Sequence, residues 1–141
     1  MSYEYSYSNT MEYPITFYQV KKGSDGVVRI AWMKDHGPEV QVINGTDEVL
    51  EHIGAITAEY KLHRLRCSYY PSVQVLDGTS WHAYIRFEKG SVSTGGNNAK
   101  APEKLMGGLY AINSYLQSLI DSAKESDIIL REDYRAFTTR R

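Results

Sequence analysis

The hydrophobic pattern switches between two periods along the chain. Ile15, Phe17 and Val20 mark a strand-like run at 13–21, and a second run covers 27–34. Lys22-Gly23-Ser24-Asp25-Gly26 between them is turn chemistry, so the two predict an antiparallel hairpin. Past Asp35-His36-Gly37-Pro38, residues 39–43 predict a short third strand. The period changes at Asn44-Gly45. Thr46 is a candidate N-cap, with Asp47 and Glu48 favourably placed in a first turn. Val49, Ile53, Ile56 and Tyr60 then form the stripe of an amphipathic helix, expected to run to about Arg64.

The second half reads in the same order. Pro71 precedes a strand at 72–76, Asp77-Gly78 is a hairpin turn, and 80–88 is the clearest strand of all. Its alternation sends Trp81, Ala83, Ile85 and Phe87 to one face and His82, Tyr84, Arg86 and Glu88 to the other. A short strand is expected at 91–94 and a loop at 95–102. A long helix at 103–123 follows, with Leu105, Leu109, Ile112, Leu116 and Leu119 as its stripe. The expected architecture is α+β: an antiparallel sheet of about six strands in βββα–βββα order with two helices, oligomeric. A Gly-to-Asn spacing shared by Gly37/Asn44 and Gly90/Asn97 hints at a duplication.

Composition adds the domain plan. The 141 residues suffice for one domain at 13–125. Residues 1–12, tyrosines among small polar residues, read as a flexible or partner-ordered N-terminal tail, and 126–141 as a C-terminal basic tail. A net charge of −1 argues against a duplex nucleic-acid partner. One cysteine, Cys67, allows no internal disulfide, which points to a reducing, cytoplasmic setting. No run is long enough to span a membrane and no signal peptide is evident. The twelve tyrosines are the odd feature. Three stand in the expected tail, and Gly107-Gly108 inside the second helix asks for a late helix start or a closely packed neighbour, such as a second subunit.

No motif of nucleophilic, phosphate-loop or zinc-protease chemistry is present. His52 and His63, on one expected helix, lie roughly 16 Å apart, too far to share a metal. No catalytic residue, metal or cofactor is expected. Three groups suit binding. Arg64 and Arg66 belong to a basic run that is either a solvated helix end or an anion grip. Tyr84 and Arg86 stand on an outward strand face, where an aromatic ring stacks on a base and a guanidinium holds phosphate; ordinary polar alternation explains them equally. Asn97 and Asn98 end a Gly-Gly-Asn-Asn loop before a helix, which is either a ligand loop or a tight connection.

Phe87 at the end of its strand, followed ten residues later by Asn97 in that Gly-Gly-Asn-Asn loop, resembles the pattern of the Thoeris anti-defence signal sponges of phages. Arg29 and Gln41 are similar to polar positions of a second ligand site in that family. The resemblance covers about residues 13–120. It implies a catalytically inert α+β protein of the host cytoplasm that assembles with itself and sequesters cyclic ADP-ribose isomers or cyclic oligonucleotides. The family's expected arginine in the second helix is missing here, so Arg64, Arg66 or an arginine of the C-terminal segment would have to replace it. The expected ligand set is Phe87, Asn97, Asn98, Tyr84, Arg86, Arg64 and Arg66, with Arg29 and Gln41 at a second site. The alternatives are a protein-interaction inhibitor acting through a tyrosine-rich surface and a small nuclease or phosphodiesterase.

Overall fold

The structure, a computed structural model, describes residues 1–9, 13–34, 37–70 and 79–139. The strand expected at 72–76, its turn Asp77-Gly78, His36, Arg140 and Arg141 lie outside the described residues. Seven strands form one antiparallel sheet: β1 (Ser2–Ser8), β2 (Thr16–Lys22), β3 (Val28–Met33), β4 (Glu39–Gly45), β5 (Ser80–Phe87), β6 (Gly90–Asn97) and β7 (Ile128–Asp133). Their order across the sheet is β6-β5-β1-β2-β3-β4-β7. Three helices accompany them: α1 (Asp47–Glu59), α2 (Glu103–Ser122) and α3 (Tyr134–Thr139). The protein is therefore α+β; among the described residues two strands, β1 and β7, and one helix, α3, stand where none was expected.

The largest correction is at the N-terminus. Residues expected to be a tail form β1, which lies inside the sheet between β5 and β2. The period-2 pattern of Tyr3, Tyr5 and Tyr7 is that of a half-buried strand, with tyrosine taking the place of aliphatic residues. Tyr3 is 1% exposed and Tyr5 4%, and both join the main core. A buried phenol needs a partner, and the Tyr3 hydroxyl donates to Asn113 Oδ1 of α2 at 2.7 Å. Tyr18 does the same from β2 to Gln117 Oε1 at 2.7 Å. Tyrosines thus bond the sheet to the helix above it.

That core fills the space between one sheet face and α1 with α2. Val20, Ile30, Ile43, Trp81 and Ile85 point up from the sheet, and Val49, Ile53, Leu109, Ile112 and Leu116 point down from the helices. The alternation expected in β5 holds, with Trp81, Ala83 and Ile85 buried and His82, Tyr84 and Arg86 exposed. α1 stops earlier than expected: Lys61 is left-handed at φ 55°, and Leu62–Arg64 form a single 3-10 turn that drops Leu62 into the core. The close neighbour sought by Gly107-Gly108 is this same α1 terminus. A Cβ on Gly108 would stand 2.7 Å from Tyr60 Cβ and from Leu62 Cδ2. The glycine is accounted for inside one chain.

The opposite sheet face is divided. Over β2, β3 and β4, Phe17, Ala31, Met33, Val40 and Val42 form a smaller core, covered by Leu130 of β7 and by Tyr134 and Phe137 of α3. The segment expected as a basic tail is thus an edge strand and a lid. Tyr134 and Phe137 meet the Phe17 ring edge-on at 5.3 and 6.1 Å between centroids. Over β6, β5 and β1, no described helix covers that face.

Candidate functional site

The uncovered half-face is built by alternation. Cross-strand register lines up Ser93, Tyr84, Glu4 and Gln19 in one row, with Arg86 and Ser2 one pleat away in a neighbouring row. His82 stands one pleat away on the other side, opposite Gly95 and Ser6. Ser2, Glu4, Gln19, Lys21, His82, Tyr84 and Ser93 border a depression of about 450 Å³, and Arg86 stands on the same face just outside its lining. Its floor is ordered: Gln19, 6% exposed, donates from Nε2 to Glu4 Oε1 at 2.8 Å. Tyr84 is 40% exposed, a large ring held up to solvent by a strand. His82, Ser93 and Thr94 also border a second cleft of about 230 Å³, completed by Cys67, Tyr70 and Asn97. The two hollows share a wall, and so form one track across the sheet.

Gly95 and Gly96 belong to β6, not to the expected loop, and each serves one face. A Cβ on Gly95 would lie 2.8 Å from His82 Nδ1, so its absence lets the imidazole lean over β6. A Cβ on Gly96 would lie 2.6 Å from Trp81 Nε1 on the other face. The outer edge of β6 at this point is closed by Tyr69, whose N–H donates to Gly95 O at 2.8 Å. Tyr69 also stacks on Trp81, with centroids 6.2 Å apart.

The expected ligand residues divide among different places. Tyr84, Arg86 and Asn97 share the open face. Arg66 is exposed beside the outer edge of β6, its backbone on the helix side: its carbonyl accepts from the hydroxyl of Thr94, which pairs with buried Ala83, and its N–H donates to the Tyr69 hydroxyl at 2.9 Å. Arg64 is exposed one step further off, in the 3-10 turn. Phe87 is on the opposite face, packed half-buried against the main core. It pairs with Gly90 at one end of the hairpin while Asn97 pairs with Ser80 at the other, roughly 23 Å away. Phe87 and Asn97 do not meet within one chain. Asn98 adopts a left-handed φ of 54° and accepts the Thr79 N–H on Oδ1 at 2.9 Å, so its carbonyl oxygen closes the turn.

The second-site pair is also separated. Arg29 lies on the same face as the open track but is bound to Asp25 through two bonds of 3.2 and 2.6 Å. That guanidinium bonding, with the Val27 N–H, lowers the Asp25 carboxyl to about 2. Gln41 faces the helix side, 3% exposed, and donates to Glu39 Oε1 at 3.0 Å. It borders a different hollow of about 470 Å³ with Trp32, Gln117 and Lys124.

Sequence reasoning missed Glu4, Gln19, Ser2 and Lys21 as neighbours of Tyr84. The strand periodicity of 1–8 was the available signal, hidden by the absence of aliphatic residues. Among the described residues no group of three or more His, Cys, Asp or Glu side chains is placed to hold a metal ion. No described helix is long and apolar enough to cross a membrane. Comparison with protein-family models and with curated proteins finds no match to this chain.

Proposed function

We propose that this protein binds and sequesters a small anionic nucleotide signal without turning it over. A cyclic ADP-ribose isomer or a cyclic oligonucleotide is the ligand class implied by the resemblance to phage signal sponges, and counteracting bacterial anti-phage immunity is the implied role. One observation carries the reading: an exposed ring and an exposed guanidinium, Tyr84 and Arg86, alternate on one strand beside a 450 Å³ depression with an ordered amide floor. Tyr84 stacks on the base, Arg86 and Lys21 neutralise phosphate, and Gln19, Ser93 and Asn97 offer polar edges.

Self-assembly belongs to the same proposal. Bringing Phe87 and Asn97 to one ligand takes two copies of the chain. Among the described residues the outer edge of β6 has no neighbouring strand, only the Tyr69 bridge near its end. Such an edge is a template for a second copy.

Titration calorimetry with cyclic ADP-ribose isomers and cyclic dinucleotides tests the reading. Saturable heat is expected with at least one of them. Tyr84→Ala should weaken it by about 5- to 150-fold, the range of a lost stacking contact. Heat denaturation of the complex should return the nucleotide intact; a cleaved product would place the protein among the phosphodiesterases instead. No heat with any of these nucleotides removes the proposal.

A further inference from the structure

We infer that the chain carries a second binding site, on the helix side of the sheet, for a flat aromatic ring bearing an anionic group. The site is a hollow of about 610 Å³ where β1, β5 and the first turns of α2 meet, walled by Tyr5, Tyr7, Trp81, Tyr110, Asn98 and Lys100. Its volume is in the range of small-molecule sites. It shares no wall residue with the open-face track.

The Tyr5 hydroxyl points to a ligand. Tyr5 is 4% exposed, yet among the described residues its hydroxyl makes no hydrogen bond, whereas the neighbouring inward tyrosine, Tyr3, is bonded to Asn113. Solvent reaches that hydroxyl from the hollow, so it stands free to donate to a ligand there. Burial, and then the nearby Tyr110, hold its pKa above the ordinary value, so it is a proton donor at neutral pH.

The remaining walls agree. Trp81 is fixed as a flat surface by its Nε1, which donates to Ala99 O at 2.7 Å. Tyr110, 43% exposed, forms the opposite rim. Asn98 spends its carbonyl oxygen on Thr79, which leaves its amide hydrogens as donors. Lys100 supplies the ammonium, and among the described residues no carboxylate lines the hollow. Rings for a planar partner, donors for its acceptors and one cation for its charge define the ligand class.

Two sources offer that chemistry, a nucleoside monophosphate and an aromatic carboxylate. Calorimetry with adenosine 5′-monophosphate and with 1-naphthoate separates them. Saturable binding of at least one probe is expected. Tyr5→Phe should weaken it about 3- to 10-fold, the worth of one hydrogen bond, with the urea midpoint unchanged or raised. Lys100→Ala and Tyr110→Ala, both at exposed positions, should weaken it as well. Tyr84→Ala should leave it unchanged, which separates this site from the open face. Binding of neither probe, or binding that Tyr5→Phe leaves intact, overturns the inference.

Discussion

Two adjacent glycines in one helix should respond to the same substitution with opposite signs. Gly107 and Gly108 both lie inside α2, where replacing glycine by alanine gains about 0.8–1 kcal/mol of helix propensity. At Gly107 the nearest atom to a new Cβ is Tyr60 Cε2 at 3.8 Å, an ordinary contact, so Gly107→Ala should keep most of that gain. At Gly108 the new Cβ would stand 2.7 Å from Leu62 Cδ2, 2.7 Å from Tyr60 Cβ and 2.9 Å from Tyr60 Cγ. Carbon pairs prefer about 3.5–4.0 Å, so all three contacts overlap. Leu62 is fully buried, and Tyr60 Cβ is fixed to the backbone that caps α1, so neither can move aside cheaply. Overpacking of this kind costs about 1–3 kcal/mol. Near the upper end of that range it outweighs the propensity gain, for a net loss of roughly 1–2 kcal/mol. The two variants should therefore differ by about 2–3 kcal/mol in urea unfolding followed by circular dichroism, roughly 1 M in midpoint. The difference should not depend on protein concentration, because the crowded atoms belong to one chain. A shift of both midpoints in the same direction would refute the packing argument, and a concentration-dependent difference would return Gly108 to a subunit interface.

Other predictions follow from the same contacts. Deleting residues 1–8 should abolish cooperative unfolding, not merely trim a tail, because Tyr3 and Tyr5 sit in the core and β1 joins β5 to β2; a truncated chain with a wild-type melting curve would contradict this. Tyr3 has its pKa raised well above 10 by burial. Its contribution to stability is whole below the unfolded value near 10 and falls as pH rises beyond it, so Tyr3→Phe should flatten the alkaline limb of the pH–stability curve. Asp25 works the other way. Its carboxyl, lowered to about 2 by Arg29, helps above its unfolded pKa and loses that help as pH falls toward 2, so Asp25→Asn should flatten the acid limb slightly. Gly95→Ala should lower the melting temperature as well as alter the His82 imidazole resonances, because a Cβ there would stand 2.7 Å from the Trp81 carbonyl oxygen of the backbone and 2.8 Å from His82 Nδ1; an unchanged melting temperature would contradict this.

The parts legible in the sequence were those where apolar and polar residues alternate cleanly. β5 sorted its two faces correctly from periodicity alone, and that placed Tyr84 and Arg86 together on the exposed side. The α2 stripe was nearly right, with Leu109, Ile112 and Leu116 buried; Met106 and Ile120 take the inward positions and Leu105 and Leu119 are half-buried. β1 escaped because tyrosine was read as polar tail chemistry, when a phenol with a partner on a facing helix buries as well as leucine. β7 escaped for a related reason: Arg131, Glu132 and Asp133 suit a solvated edge strand as much as a tail. β6 was cut short at Thr94 because Gly95-Gly96 signals a loop locally, while its need arises from Trp81 and His82 on a neighbouring strand. Sheet order is the least local property of all. With β1 placed between β5 and β2, Gln19 and Glu4 come beside Tyr84, and no spacing within one strand reports that neighbourhood.

The central claim, a nucleotide held on the open face, is tested most directly by following backbone amide resonances while a cyclic ADP-ribose isomer or a cyclic dinucleotide is added. The account predicts saturable shifts clustered at Glu4, Gln19, His82, Tyr84, Arg86 and Ser93, with the smaller core under α3 unmoved. Shifts centred on Phe17, Val40 and Phe137 instead, or none with any of these nucleotides, would contradict it.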